Sequence, residues 1–67
     1  MYRYYLKRFP ISNTPYPEGH TLTKYVKFNR SKHIGEIKDR AYGYVEFASP
    51  LSIVECMEFD LQKGENS

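Results

Sequence analysis

Residues 2–9, YRYYLKRF, alternate with a period of two. Tyr2, Tyr4 and Leu6 fall on one face, and Arg3, Tyr5 and Lys7 on the other. Alternation rich in aromatics predicts a half-buried β-strand. Pro10 ends it, because proline has no N–H to give to a ladder. Residues 10–20, PISNTPYPEGH, carry three prolines and a glycine and predict a loop. Each proline fixes its own φ and restricts the residue before it, so the loop is stiff and extended. Glu18-Gly19 marks a turn into the next element.

Residues 21–29, TLTKYVKFN, alternate again. Leu22, Val26 and Phe28 share a face, with Lys24 interrupting, and Thr23, Tyr25 and Lys27 lie opposite. The stretch predicts a second strand. Residues 30–40, RSKHIGEIKDR, are polar with Ile34 and Ile37 as anchors, and Gly35 between them discourages a helix. They predict a loop or a short irregular strand. AYGYVEF, residues 41–47, predicts the third strand from its aromatic and β-branched content. Ala41, Val45 and Phe47 are assigned to the core; Tyr42, Tyr44 and Glu46 are assigned outward. Gly43 inside the strand signals a bulge or a close packing neighbour.

Ser52 and Glu55 have the S-x-x-E spacing of a capping box, in which the serine hydroxyl and the glutamate carboxylate each satisfy the other's backbone N–H. Ser49-Pro50 is an earlier start signal. Either predicts a short helix, kept short because MEFDLQ at 57–62 returns to alternation and predicts a terminal strand. The chain therefore reads as an α+β fold: a small single domain over residues 1–62 with a polar tail at 63–67. Its sheet is three- to four-stranded and mostly antiparallel, with one short helix before the last strand.

Composition narrows the function more than the fold. A 67-residue chain buries only about 60% of its unfolded surface, which leaves little room for a large pocket. Seven tyrosines suit a thin sheet or a binding surface, since the ring packs while the hydroxyl stays wet. A single cysteine, Cys56, closes no internal disulfide and points to a reducing compartment. No signal-peptide pattern opens the sequence and no apolar run is long enough to span a membrane. A cytoplasmic location follows as the expectation.

The net charge of +2 conceals an asymmetry. Residues 1–33 hold seven basic residues against Glu18 alone, a net of +6; residues 34–67 hold three against seven acidic ones, a net of −4. A basic face would suit nucleic acid or an acidic partner. A basic half paired across strands with an acidic half would need no partner at all.

Catalytic and metal chemistry find little support. His20, His33 and Cys56 match no zinc spacing, and both histidines read as loop-surface residues. Cys56 in SIVECM reads as a small core hydrophobe rather than a nucleophile. Phosphate-binding and nucleophile-elbow motifs are absent. Glu58 and Asp60 share a face of the terminal strand and read as a solvated edge. No cofactor is expected, and the chain reads as a non-enzyme. Two binding classes remain. R-Y-Y-L-K-R at 3–8 and K-Y-V-K-F-N-R at 24–30 interleave bases with aromatics, as a base-stacking sheet would; Glu46 on that face works against phosphate. A protein-binding module is favoured by exposed Tyr and Arg, by the stiff proline-tyrosine loop and by edge strands.

M-Y-R-Y-Y at the start, R-A-Y-G-Y-V-E-F at 40–47, P-L-S at 50–52 and E-F-D-L at 58–61 resemble a group of small uncharacterised accessory proteins. These are carried by mobile elements of Gram-positive bacteria. The resemblance spans most of the chain but rests on structural motifs, and it implies no catalytic residues. It implies a module that inhibits a host defence protein, of the anti-restriction or anti-CRISPR kind, by binding it directly. The expected partner is therefore another protein, with nucleic acid on a basic, tyrosine-rich sheet face as the alternative, and no membrane. The candidate contact residues are Arg3, Tyr5, Lys7, Tyr16, Tyr25, Lys27, Tyr42 and Tyr44. Against a nuclease, Glu58 and Asp60 become candidates as phosphate mimics.

Overall fold

The computed structural model describes residues 1–64. Its elements are β1 (Tyr2–Leu6), β2 (Leu22–Ile34), β3 (Asp39–Phe47), α1 (Ile53–Phe59) and β4 (Leu61–Lys63). The strands form one sheet in the order β2-β3-β1-β4, with every neighbouring pair antiparallel. The α+β architecture expected from the sequence, with a short helix ahead of the last strand, is the one observed.

β1 lies between β3 and β4, so both of its edges are paired, and its two faces carry different clusters. Tyr4 and Leu6 point to one side with Val45, Phe47, Leu51 and Leu61, all buried. The loop at 7–21 and α1 roof this side through Tyr16, Cys56 and Phe59. The Tyr4 hydroxyl accepts a hydrogen bond from the Leu51 N–H at 2.8 Å, tying the start of the helix to the inner strand β1. Tyr5 points the other way and is buried with Ile37 and Ala41, flanked by Ile34 and Tyr44. The thin sheet thus carries a main core on one face and a smaller cluster on the other.

Several expectations are corrected. β1 stops at Leu6 rather than running to residue 9; beyond it only the Lys7 N–H continues the pairing, to the Asp60 carbonyl at 2.9 Å. Of the two readings of residues 30–40, a loop or a short irregular strand, residues 30–34 take the second as a continuation of β2, because Arg40 on β3 reaches across to Ser31. Its Nε donates to the Ser31 hydroxyl and its Nη2 to the Ser31 carbonyl, both at 2.9 Å. These contacts pin a bulge: β2 advances from Lys27 to Lys32 while its partner on β3 moves only from Gly43 to Ala41. A smaller bulge lies between Leu22 and Lys24, where the Thr23 hydroxyl donates to the Glu46 carbonyl.

These irregularities exchange the faces. After the first bulge Tyr25 pairs with Val45 and packs on the main core, not outward. At Gly43, with φ of 151°, the alternation of β3 also turns over. Ala41 joins the Tyr5 cluster and Tyr42 packs on the main core, the reverse of the strict period-two reading.

Of the segment 57–62, expected as the terminal strand, residues 57–59 are helix and only 61 and 62 are strand. The capping box forms as expected, with the Ser52 hydroxyl accepting from the Glu55 N–H at 3.1 Å and the Glu55 carboxylate from the Ser52 N–H at 2.9 Å. Leu51 and Cys56 occupy the positions of a hydrophobic staple and both pack into the main core. The helix then continues to Phe59 and ends at Asp60 in the left-handed conformation, φ 52°. Aspartate tolerates that region better than most residues. The last strand is therefore three residues long. It reaches Lys63, past the expected boundary at 62, and the Gly64 N–H donates to the Arg3 carbonyl at 2.8 Å. The rest of the expected tail, residues 65–67, lies outside the described residues.

Candidate functional site

The eight candidate residues do not form one patch. Arg3, Tyr5 and Tyr44 do meet, on the face opposite the helix. The Arg3 guanidinium lies 4.1 Å from the centroid of the Tyr44 ring, a cation–π distance. Its Nε donates to Glu46 Oε2 at 2.7 Å, and its Nη1 to the Tyr5 hydroxyl at 3.4 Å. The Tyr5 hydroxyl donates in turn to Glu36 Oε1 at 2.7 Å, carrying the chain of contacts to the β2–β3 turn. The hydrogen bonds that Arg3 donates to Tyr5 and Glu46 push its pKa up, and burial pushes the Tyr5 hydroxyl up. This face is an internally satisfied network with two carboxylates in it, and Tyr5 at 5% exposure offers no ring to a base.

The other five lie elsewhere. Lys7 pairs with Asp39, and that contact, with a second from the Arg40 N–H, holds the Asp39 carboxyl below its usual range. Tyr16 and Tyr25 pack edge to face at 6.0 Å, and Tyr16 also meets Phe47 at 5.9 Å, both on the main core. Tyr42 packs edge to face with Phe9 at 5.8 Å, and the Lys27 ammonium sits 4.9 Å from the centroid of that same Phe9. His20 is not loop surface: it bonds Glu55 at 2.8 Å and lies 5.8 Å from the Phe47 ring, clipping the loop to the helix start. His33 is exposed on β2. Asp60 is ion-paired to Arg8 at 3.2 Å and caps the helix, and Glu58 is on the helix, so the two do not share a strand face.

The charge asymmetry resolves into two parts. Arg3, Lys7 and Arg8 from the basic half pair with Glu46, Asp39 and Asp60 from the acidic half, the internal arrangement weighed above. Lys24, Lys27, Arg30 and Lys32 on β2 do not take part in those pairs.

A surface that sequence reading missed lies at the opposite edge of the sheet. α1 has no buried residue. Cys56 and Phe59 give it a half-buried inner side, while Ile53, Val54 and Met57 are 80%, 71% and 73% exposed. Beside them a groove of about 450 Å³ runs between α1 and β4, lined by Tyr4, Ile53, Cys56, Met57 and Leu61 and completed by polar side chains such as Lys7 and Lys63. The signal was in the capping box: once Ser52 fixes the helix phase, the inward positions at 56 and 59 leave 53, 54 and 57 turned out. Reading 57–62 as a strand hid it. The Cys56 thiol in this groove has its pKa raised by burial, which keeps it protonated. Among the described residues no group of three His, Cys, Asp or Glu side chains is placed to hold a metal ion. No helix among them is long and apolar enough to cross a membrane.

A family model described as Defence against restriction A C-terminal matches residues 1–66 of the chain. No curated protein and no solved structure matches it.

Proposed function

The chain belongs to the Defence against restriction A C-terminal family, and on that premise we propose that it counters restriction by binding a protein, without catalysing a reaction. The carrying observation is the outward apolar side of α1. Three large apolar side chains stand exposed together on one short helix, and two of them, Ile53 and Met57, line the groove beside it. Clustered exposed apolar area marks interaction surfaces in small soluble domains, and methionine adapts to varied partners. The occupant is a protein of the restriction system, seated with an apolar segment in the α1–β4 groove. An accessory protein of a mobile element, acting in the cytoplasm where restriction meets incoming DNA, fits this reading. Arg3, Tyr5 and Tyr44 support the domain internally, and the contact shifts from the candidate tyrosines to Ile53 and Met57.

The test is recovery of unmodified plasmid in a restricting bacterial host. The intact chain is expected to raise recovery at least tenfold. Ile53→Asp with Met57→Asp is expected to return it to the level without the chain, while the purified variant keeps its melting temperature. Full protection by a folded variant would sink this site. In purified form, inhibition should saturate near one chain per enzyme; protection at far lower ratios would overturn the non-catalytic reading.

A further inference from the structure

β2 is an edge strand of thirteen residues and contains no acidic side chain. Lys24, Lys27, Arg30 and Lys32 are all exposed along it. The carboxylates nearest in register are engaged elsewhere: Glu46, opposite Lys24, pairs with Arg3, and Asp39, opposite Ile34, pairs with Lys7. Three of the four cations sit near rings instead: Lys24 at 5.9 Å from Tyr44, Lys27 at 4.9 Å from Phe9 and Lys32 at 4.8 Å from Phe28. The edge therefore keeps four positive charges with no carboxylate partner among the described residues.

We propose that the β2 edge is a phosphate-contacting surface for duplex DNA, distinct from the α1–β4 groove. Cations on an edge strand also discourage edge-to-edge aggregation, but one or two would serve that purpose. Four in one strand, with every nearby acid diverted, exceed it. Three of the four cations lie against rings rather than carboxylates, so their charge is left for phosphate and the contact is assigned to the backbone. The free N–H groups of an edge strand add neutral phosphate donors. A partner adding a β-strand needs a continuous ladder, and the bulge between Lys27 and Lys32 interrupts it. The choice of duplex DNA rests on the anti-restriction reading, since restriction cuts duplex DNA; the phosphate contact rests on the strand alone.

The test is fluorescence anisotropy of a labelled duplex of about 20 base pairs with the full chain, in the absence of any restriction enzyme. Four phosphate contacts predict a slope of log affinity against log salt of about −3.6, or roughly 10²-fold weakening between about 50 and 200 mM salt. Arg30→Gln alone should reduce the slope by about 0.9. Replacing all four cations by Gln should abolish binding, and Arg8→Gln should leave it unchanged. The single variant keeps the question open to measurement if the fourfold one fails to fold. Absence of salt-dependent duplex binding overturns the proposal, as does equal binding by a folded fourfold variant. Tighter binding of a single strand overturns it in favour of stacking, and binding of poly-glutamate but not duplex overturns it in favour of an acidic protein. Any of these failures leaves the plasmid-recovery result, and the groove reading, standing on its own.

Discussion

Gly43 decides which side chains reach the two cores. Its φ of 151° is a region that residues with a Cβ rarely adopt, and an added Cβ would lie inside contact distance of the Val26 carbonyl oxygen and 3.1 Å from the Lys27 Cα. Neither neighbour is the end of a flexible side chain, so nothing yields cheaply. Gly43→Ala is expected to destabilise the domain by at least ~3 kcal/mol, backbone strain and overpacking together. A domain of this size has little stability to spare, so the variant should appear largely unfolded by circular dichroism at 37 °C; a urea midpoint close to that of the parent would refute it. The same residue explains why Tyr42, expected outward, packs on the main core, and why Ala41, buried as expected, joins the smaller cluster on the opposite face. A period-two reading assumes an unbroken pleat, and Gly43 was legible as a bulge but not as the point at which inside and outside change places. Tyr25 was misplaced for the same reason, with Thr23 as the extra residue.

Among the elements, α1 depends most on its ends. Seven residues are too few to be stable alone, and its inner side buries only Cys56 and Phe59 in part. Its caps therefore carry a large share of its stability. Ser52→Ala removes the oxygen that accepts from the Glu55 N–H and should cost about 1 kcal/mol in a urea titration, within a range of roughly 0.5–2. Ser52→Asp should restore most of it, since aspartate caps equally well; an unchanged midpoint in the alanine variant would show the cap to be dispensable. The start of this helix was legible because a capping box is written in four consecutive residues. Its end was not, because Met57, Phe59 and Leu61 satisfy a strand's alternation while Cys56 and Phe59 satisfy a helix's spacing, and only Asp60 in the left-handed conformation separates the two. The length of β2 was hidden differently. Ser31 and Arg40 hold it through contacts between strands, which a local pattern cannot report.

Across the whole molecule, the basic half is joined to the acidic half by surface and half-buried ion pairs, and this sets the response to pH. Asp39 is held below its ordinary pKa by Lys7 and the Arg40 N–H, and Glu55 by the Ser52 N–H and His20. The unfolded chain therefore binds protons more readily than the folded one over that interval, so stability is present above the ordinary carboxylate values, about 4, and is lost as pH falls through the lowered folded ones. The melting temperature is expected to be level from about pH 7 to 5 and to drop below that. Asp39→Asn with Glu55→Gln should flatten the acid limb, and an identical limb in the double variant would assign acid sensitivity elsewhere.

The position of β1 has a further consequence, for the order of events during synthesis. Of the four strands the first in sequence is one of the two inner ones, yet its partners, Tyr44–Phe47 and Leu61–Lys63, come much later in the chain. The β2–β3 hairpin can close as soon as its own residues exist, while Tyr2–Leu6 must wait for chain far along the sequence. Loop closure over such separations is slow relative to hairpin formation. The nascent chain therefore carries Tyr2, Tyr4 and Tyr5 unpaired until residues 44–47 have been added.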